Sequence, residues 1–141
     1  MSEGPWVYAV EQLVKLTDGD TLLLRVRRPI DFGFRRKTQL SSVEEFRLAG
    51  IDTPERRGPT RAMGELAAQV LANWFDIPEL LVLTSLGEED DKYGRWLARI
   101  VCDDKVDVAD WMLRKGYAQP YSGKGHRPAW DPAQPYPLVA R

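Results

Sequence analysis

The chain has 141 residues, of which 43% are hydrophobic and 29% charged, with 20 basic side chains against 21 acidic ones and a formal net charge of −1. This describes one ordinary globular domain, long enough to bury a core without disulfides, and its charge balance argues against a simple nucleic-acid coat. Cys102 and His126 are the sole cysteine and histidine, which excludes an internal disulfide, a cysteine zinc site and a multi-histidine metal site.

Taken in chain order, "WVYAVEQLVKL" (6–16) has rough alternation of β-formers and predicts a strand. "DGDT" (18–21) is a tight-turn signal, and "TLLLRVRR" (21–28) completes a hairpin. Residues 29–42 carry Pro, Gly and a polar tail and read as a long loop or a hairpin extension. "VEEFRLAGI" (43–51) is a third strand, stopped by Asp52-Thr53-Pro54 because proline cannot donate to the ladder. Residues 61–75 predict a helix with Met63, Leu66, Ala67, Val70, Leu71 and Trp74 at three-and-four spacing. "LLVLTSL" (80–86) and "RWLARIVCD" (95–103) are two further strands. Residues 106–118 predict a second helix with Val108, Trp111 and Met112 as its stripe and Gly116 as its stop. The remainder is Pro-rich and predicts an irregular tail anchored by Tyr121 and Trp130, fraying at its end. The order β-β-β-α-β-β-α fits a mainly β, α+β domain: an OB-fold five-stranded β-barrel with two packed helices, over residues 1–125, followed by the tail 126–141.

The opening "MSEGPWVYAVEQLV" lacks a basic region followed by an apolar one, and no apolar run spans a membrane. The expectation is a cytoplasmic or phage-encoded intracellular monomer, with a secreted mature form as the alternative.

Chemistry concentrates at the strand ends. In a three-strand meander the start of the second strand and the end of the third lie at the same end of the sheet, so Asp20 and Asp52 can converge. Convergent ionised carboxylates need a cation between them, and a hard divalent ion with oxygen ligands fits. Glu55 follows three residues on; taken alone it is a helix-start residue. Arg47 precedes Asp52 by five positions, which puts the two on opposite faces of a regular strand; a bulge at "AGI" would restore convergence. "DKYGR" (91–95) is a turn that also offers a point charge, an aromatic platform and a guanidinium, a set suited to a phosphate and a nucleobase. Together these make a phosphodiester-hydrolysis site: a metal polarising a phosphoryl oxygen, a carboxylate acting on water, arginines holding the developing charge. Residues 25–37, "RVRRPIDFGFRRK", hold six basic residues and one acid and suggest an extended nucleic-acid track. A carboxylate-pair glycosidase would leave Arg47 and Arg95 without a role.

Five motifs, "DGDT" (18–21), "FRLAGIDTPE" (46–55), "GELA" (64–67), "DKYGRWLA" (91–98) and "LRKGYA" (113–118), resemble in order and context the staphylococcal nuclease (thermonuclease) family over about residues 10–120. The resemblance implies an OB-type barrel and a Ca²⁺-dependent nuclease acting on DNA and RNA that leaves 3′-phosphate ends. It implies Asp20, Asp52 and the Thr53 carbonyl as Ca²⁺ ligands and Glu55 as the carboxylate on the attacking water. It implies Arg47 and Arg95 as the phosphate clamp, with Lys92 and Tyr93 on a second phosphate. The nucleotide-stacking tyrosine falls on Tyr117 or Tyr121, with Tyr121 preferred. The sequence departs from the family in its enlarged basic segment after the second strand, a shorter stretch after Glu55, and no third, C-terminal helix. The alternative function is a non-catalytic nucleic-acid-binding module of the same fold.

Overall fold

The computed structural model describes residues 5–77, 80–85, 95–102 and 106–138. Strands β1 (Pro5–Asp18), β2 (Thr21–Gly33) and β3 (Arg36–Leu48) form an antiparallel meander, as the turn signals require. The two-residue β4 (Ile51–Asp52) follows, then helix α1 (Arg61–Asn73), β5 (Leu80–Ser85), β6 (Trp96–Cys102), the short β7 (Val106–Asp107), helix α2 (Val108–Arg114) and β8 (Gln119–Pro120). The main sheet runs β3-β2-β1-β5-β6-β7, and β6 also pairs in parallel with the end of β3 through Phe46↔Trp96, Arg47↔Leu97 and Leu48↔Ala98. That seam is three pairs long, so the OB-fold-like α+β sheet curls back on itself as a partly open barrel rather than a fully closed one. Register irregularities along β1, between Val10 and Gln12, Leu13 and Lys15, and Leu16 and Asp18, let it bend around the barrel.

Period-two alternation places Leu22, Leu24 and Val26 of β2 inside, where they meet Phe46 and Leu48 of β3, Val82 of β5 and Ile100 of β6. Ala67 and Leu71 of α1 and Val108 and Met112 of α2 cover this core. Each fully buried leucine of the set contributes about 1.5–3 kcal/mol through removal of its apolar area from water.

The stripe on α1 lies where expected except at Leu66, with Val70 and Trp74 packed on the core. Met63, Gly64, Ala67, Ala68 and Leu71 face inward, whereas Leu66 is 39% exposed. Gly64 turns the helix: a Cβ there would lie 2.3 Å from the Glu55 carbonyl oxygen, so glycine permits the close approach that brings the 64–68 side inward. Helix α2 is shorter than expected. Val106 and Asp107 pair with β6, and the Asp107 carboxylate caps the helix by accepting from the Ala109 amide at 2.9 Å and the Asp110 amide at 3.3 Å.

Residues 29–42 are the hairpin extension. Pairing of β2 with β3 continues from Arg27↔Ser41 to Gly33↔Arg36, well past the last β1 partner, Ala9↔Arg27. The resulting arm ends in a two-residue turn, Phe34-Arg35, with φ of 55° and 60°. Both values lie in the left-handed region that a mirror-image hairpin turn demands and that glycine or asparagine ordinarily fills. After β8 no helix occurs among the described residues, as the prolines required. The tail is docked all the same: Tyr136 packs edge-on against Tyr117 and Trp130, and the Leu138 amide donates to the Gly116 carbonyl at 2.8 Å. No helix among the described residues is long and apolar enough to cross a membrane.

Candidate functional site

The buried polar and charged side chains among the described residues are Asp20, Thr21, Arg47, Asp52 and Thr53, and all five come from the β1–β2 turn and the β3–β4 junction. Burying such groups is costly unless they are paired, so their concentration at one end of the barrel marks the place where the fold departs from simple packing.

Asp20 is fixed on both oxygens: Oδ1 accepts from the Thr21 hydroxyl at 3.0 Å and Oδ2 from the Thr53 amide at 3.0 Å. The Leu48 amide donates to the Asp20 carbonyl at 2.8 Å and so ties the turn to the end of β3. Arg47 and Asp52 come to the same side, though not through a bulge inside one strand. The third strand ends at Leu48, Gly50 takes φ 86°, and the chain restarts as β4, which resets the pleat. The Arg47 guanidinium then donates to the Leu48 carbonyl at 3.3 Å and the Ile51 carbonyl at 3.1 Å. It stands 3.9 Å from Asp20 and 4.0 Å from Asp52. Arg95 enters from the start of β6, its Nη1 donating to the Thr21 hydroxyl at 3.2 Å.

Two residues that sequence reasoning gave no part in the site complete it. Arg127 donates to Asp52 Oδ1 from Nε at 2.9 Å, with Nη2 2.7 Å from the same oxygen, and its Nη1 donates to Glu55 at 3.1 Å. Trp130 donates its indole N–H to Asp52 Oδ2 at 2.9 Å. Trp130 was expected to anchor the tail, and it does so on this carboxylate. The Arg-Pro-Ala-Trp spacing has no period or motif that could have shown where the two side chains go; only the docking of the tail brings them 75 and 78 positions back along the chain to Asp52.

Burial pushes the Asp52 carboxyl up from its ordinary value; the hydrogen bonds from Trp130 and Arg127 work the other way, and the charge of Asp20 adds to the rise. Burial likewise raises Asp18, helped by the nearby Asp20.

The structure thus gathers Asp20, Asp52, Thr53, Arg47 and Arg95 directly, and links Glu55 to them through Arg127. Tyr121 lies beside them, its ring 5.5 Å from the Arg47 guanidinium carbon and its hydroxyl donating to the Gly125 carbonyl at 3.1 Å. Tyr117 points away from the site, stacked on Trp111. Lys92 and Tyr93 lie outside the described residues. Arg56 is occupied elsewhere: it bonds Glu65 and the Leu16 carbonyl, both at 2.7 Å, and so braces α1 against β1. Arg57 is largely exposed, 3.6 Å from Glu55.

A hard divalent cation suits these donors. Two buried carboxylates converge, Asp20 and Asp52 each lying within 4.0 Å of the same Arg47 nitrogen. No group of three or more His, Cys, Asp or Glu side chains gathers as a cage among the described residues, so water and main-chain oxygens would have to supply the rest of the shell.

Comparison with known proteins identifies the family. A family model described as "Staphylococcal nuclease homologue" matches residues 45–134, more than half of the chain. An uncharacterized protein of Bacillus anthracis is 29% identical over 109 residues, covering 75% of this chain and 44% of that protein. The chain therefore spans less than half the length of this relative.

Proposed function

Because the chain belongs to the staphylococcal nuclease homologues, we propose that it is a Ca²⁺-dependent nuclease that hydrolyses phosphodiester bonds of DNA or RNA and leaves 3′-phosphate ends. Family membership points to a nuclease or a nucleic-acid-binding module, and the choice of the nuclease rests on one observation: two carboxylates and an arginine are held buried together at the β1–β2 turn and β3–β4 junction. A fold gains nothing in stability from such a cluster that apolar side chains would not supply, so its upkeep is explained by chemistry.

In this reading Asp20, Asp52 and the Thr53 carbonyl hold Ca²⁺, which when bound supplies positive charge and Lewis acidity for a phosphoryl oxygen. Glu55, half-exposed at the rim, orients and deprotonates the attacking water. Arg47 and Arg95 hold the non-bridging oxygens and stabilise the charge that grows on them in the transition state. Lys92 and Tyr93 contact a second phosphate, Tyr121 stacks on a base, and the basic arm lengthens the track along the strand. The protein acts as a monomer.

Incubation of plasmid DNA, single-stranded DNA and RNA with Ca²⁺ tests the assignment. Degradation is expected with Ca²⁺ and none with chelator. Glu55→Gln or Arg95→Ala should each lower the rate by about 10²–10³-fold with the fold retained by circular dichroism. Full activity in both variants would remove these residues from the mechanism.

One observation favours a second reading, a binding module that does not cut. Both oxygens of Asp52 are occupied by the chain's own donors, Arg127 and Trp130, as in a domain that needs no metal. Nucleic acid bound without turnover at every Ca²⁺ concentration would establish it.

A further inference from the structure

The tail reaches the site with a guanidinium and an indole N–H, and both end on the same buried carboxylate. Asp52 is 0% exposed, and its oxygens are divided between partners: Oδ1 to the Arg127 fork at 2.7 and 2.9 Å, Oδ2 to Trp130 at 2.9 Å. The third nitrogen of the same guanidinium reaches Glu55 at 3.1 Å. A single guanidinium thus bridges the two carboxylates of the "DTPE" stretch and, with Trp130, takes up the Asp52 oxygens that a metal ion would need.

The tail is held in place away from the carboxylates as well. Gln119 donates to the Ala129 carbonyl at 2.9 Å, the Trp130 ring packs on Tyr136, and the Tyr136 hydroxyl donates to the Tyr117 carbonyl at 2.7 Å. Arg127 lies between these fixed points and Asp52 and is itself 47% exposed. It can therefore leave Asp52 for solvent while the anchors at Gln119 and Tyr136 persist.

We propose that Arg127 and Trp130 form an internal strap that competes with the divalent cation for Asp52 and sets the affinity of the metal site. This rests on the reading of Asp52 as a metal ligand. A cation can use Asp52 only after at least one of its two oxygens is released, and the guanidinium must leave for reasons of charge as well, since two cations cannot share that oxygen at hydrogen-bond distance. Arg127 is thus an affinity-determining residue: it keeps the carboxylates paired at low metal concentration and gives them up at high concentration. Trp130 holds the second oxygen and orients the carboxyl group. The freed guanidinium remains tethered at the rim beside Glu55.

The test uses the full chain and Ca²⁺ alone, with no substrate. Isothermal titration of wild type, Arg127→Gln and Trp130→Phe gives metal affinity. The Trp130 indole N–H resonance, identified by its loss in Trp130→Phe, reports the state of the strap. Arg127→Gln is expected to bind Ca²⁺ on the order of tenfold more tightly, the worth of one charge-assisted hydrogen bond. Trp130→Phe should move the affinity in the same direction by less. In the wild type, Ca²⁺ should shift the indole resonance and speed amide exchange around residues 126–131. Equal affinity in wild type and Arg127→Gln, or an indole resonance unmoved at saturating Ca²⁺, overturns the strap while leaving the metal site standing. Absence of binding to all three proteins overturns the metal site, and the strap's competition with it.

Discussion

Tyr136 donates its hydroxyl to the Tyr117 carbonyl at 2.7 Å while its ring lies between Tyr117 and Trp130, so one residue of a Pro-rich tail joins the end of α2 to the carboxylate site. Burial pushes its phenol well above the ordinary value, and the charge of Tyr117 adds to this. Because the folded value is raised, the contribution of Tyr136 is intact below about pH 10, the unfolded value, and is lost as pH rises from there through the folded one. In an alkaline absorbance titration, Tyr136 should therefore ionise in a late step, above the ordinary tyrosine range. Tyr136→Phe should remove that late step and lower stability by about 1 kcal/mol in urea unfolding. An unchanged titration curve in the variant would place the ring outside the packed region. At this scale the sequence was half legible. Asp20, Asp52, Glu55, Arg47 and Arg95 could be named from turn chemistry and family resemblance. Arg127 could not, because its partners are distant in sequence and nothing in an isolated arginine encodes which carboxylate it will meet.

Among the elements, α1 shows how a single residue sets the position of a functional loop. The helix crosses so close to the backbone at Glu55 that only a missing side chain at Gly64 allows it, and Thr60 holds the same carbonyl with a 3.0 Å hydrogen bond from its hydroxyl. Gly64→Ala should raise local helix propensity by about 1 kcal/mol yet destabilise the protein by about 1–3 kcal/mol net, since backbone must move. On the nuclease reading it should also lower the rate at temperatures where the variant remains folded, because Glu55 is displaced with the loop. A variant as stable and as active as wild type would show that the approach is looser than the geometry implies. The strands were legible from alternation and the β1–β2 turn from Asp-Gly. So was most of the inward face of α1: Met63, Ala67 and Leu71 are buried and Val70 and Trp74 pack on the core, while Leu66 alone of the three-and-four pattern is exposed, because close packing at Gly64 draws the neighbouring side inward. The length of the third strand was obscured for a related reason. Arg36–Ser42 is polar apart from Leu40 and exposed on both faces, so no alternation announces it, and pairing with β2 alone makes it a strand.

Over the whole molecule, a net charge of −1 conceals a local excess: Arg27, Arg28, Arg35, Arg36 and Lys37 lie along the β2–β3 arm with one acid, Asp31. Phe32 and Phe34, 70% and 88% exposed, stand at its tip among these cations. If the arm follows the nucleic-acid backbone, neutralising Arg35, Arg36 and Lys37 together should reduce the slope of log affinity against log salt by up to about 2 for single-stranded DNA, at about 0.7 for each phosphate that is no longer neutralised. Measured by fluorescence anisotropy, an unchanged slope would make the arm ordinary solvated surface. By itself the sequence determined the order of the strands and helices, the oxygen-only character of any metal site and the identity of most candidate site residues, because these follow from local periodicity, turn chemistry and residue type. The tertiary structure decided the rest: the reset at Gly50 that brings Arg47 to the side of Asp52, the close packing at Gly64 beside which Leu66 is left exposed, and the return of Arg127 and Trp130 to a carboxylate more than seventy residues earlier. Those outcomes depend on which surfaces pack together, and packing partners far apart in the chain leave no local pattern to read.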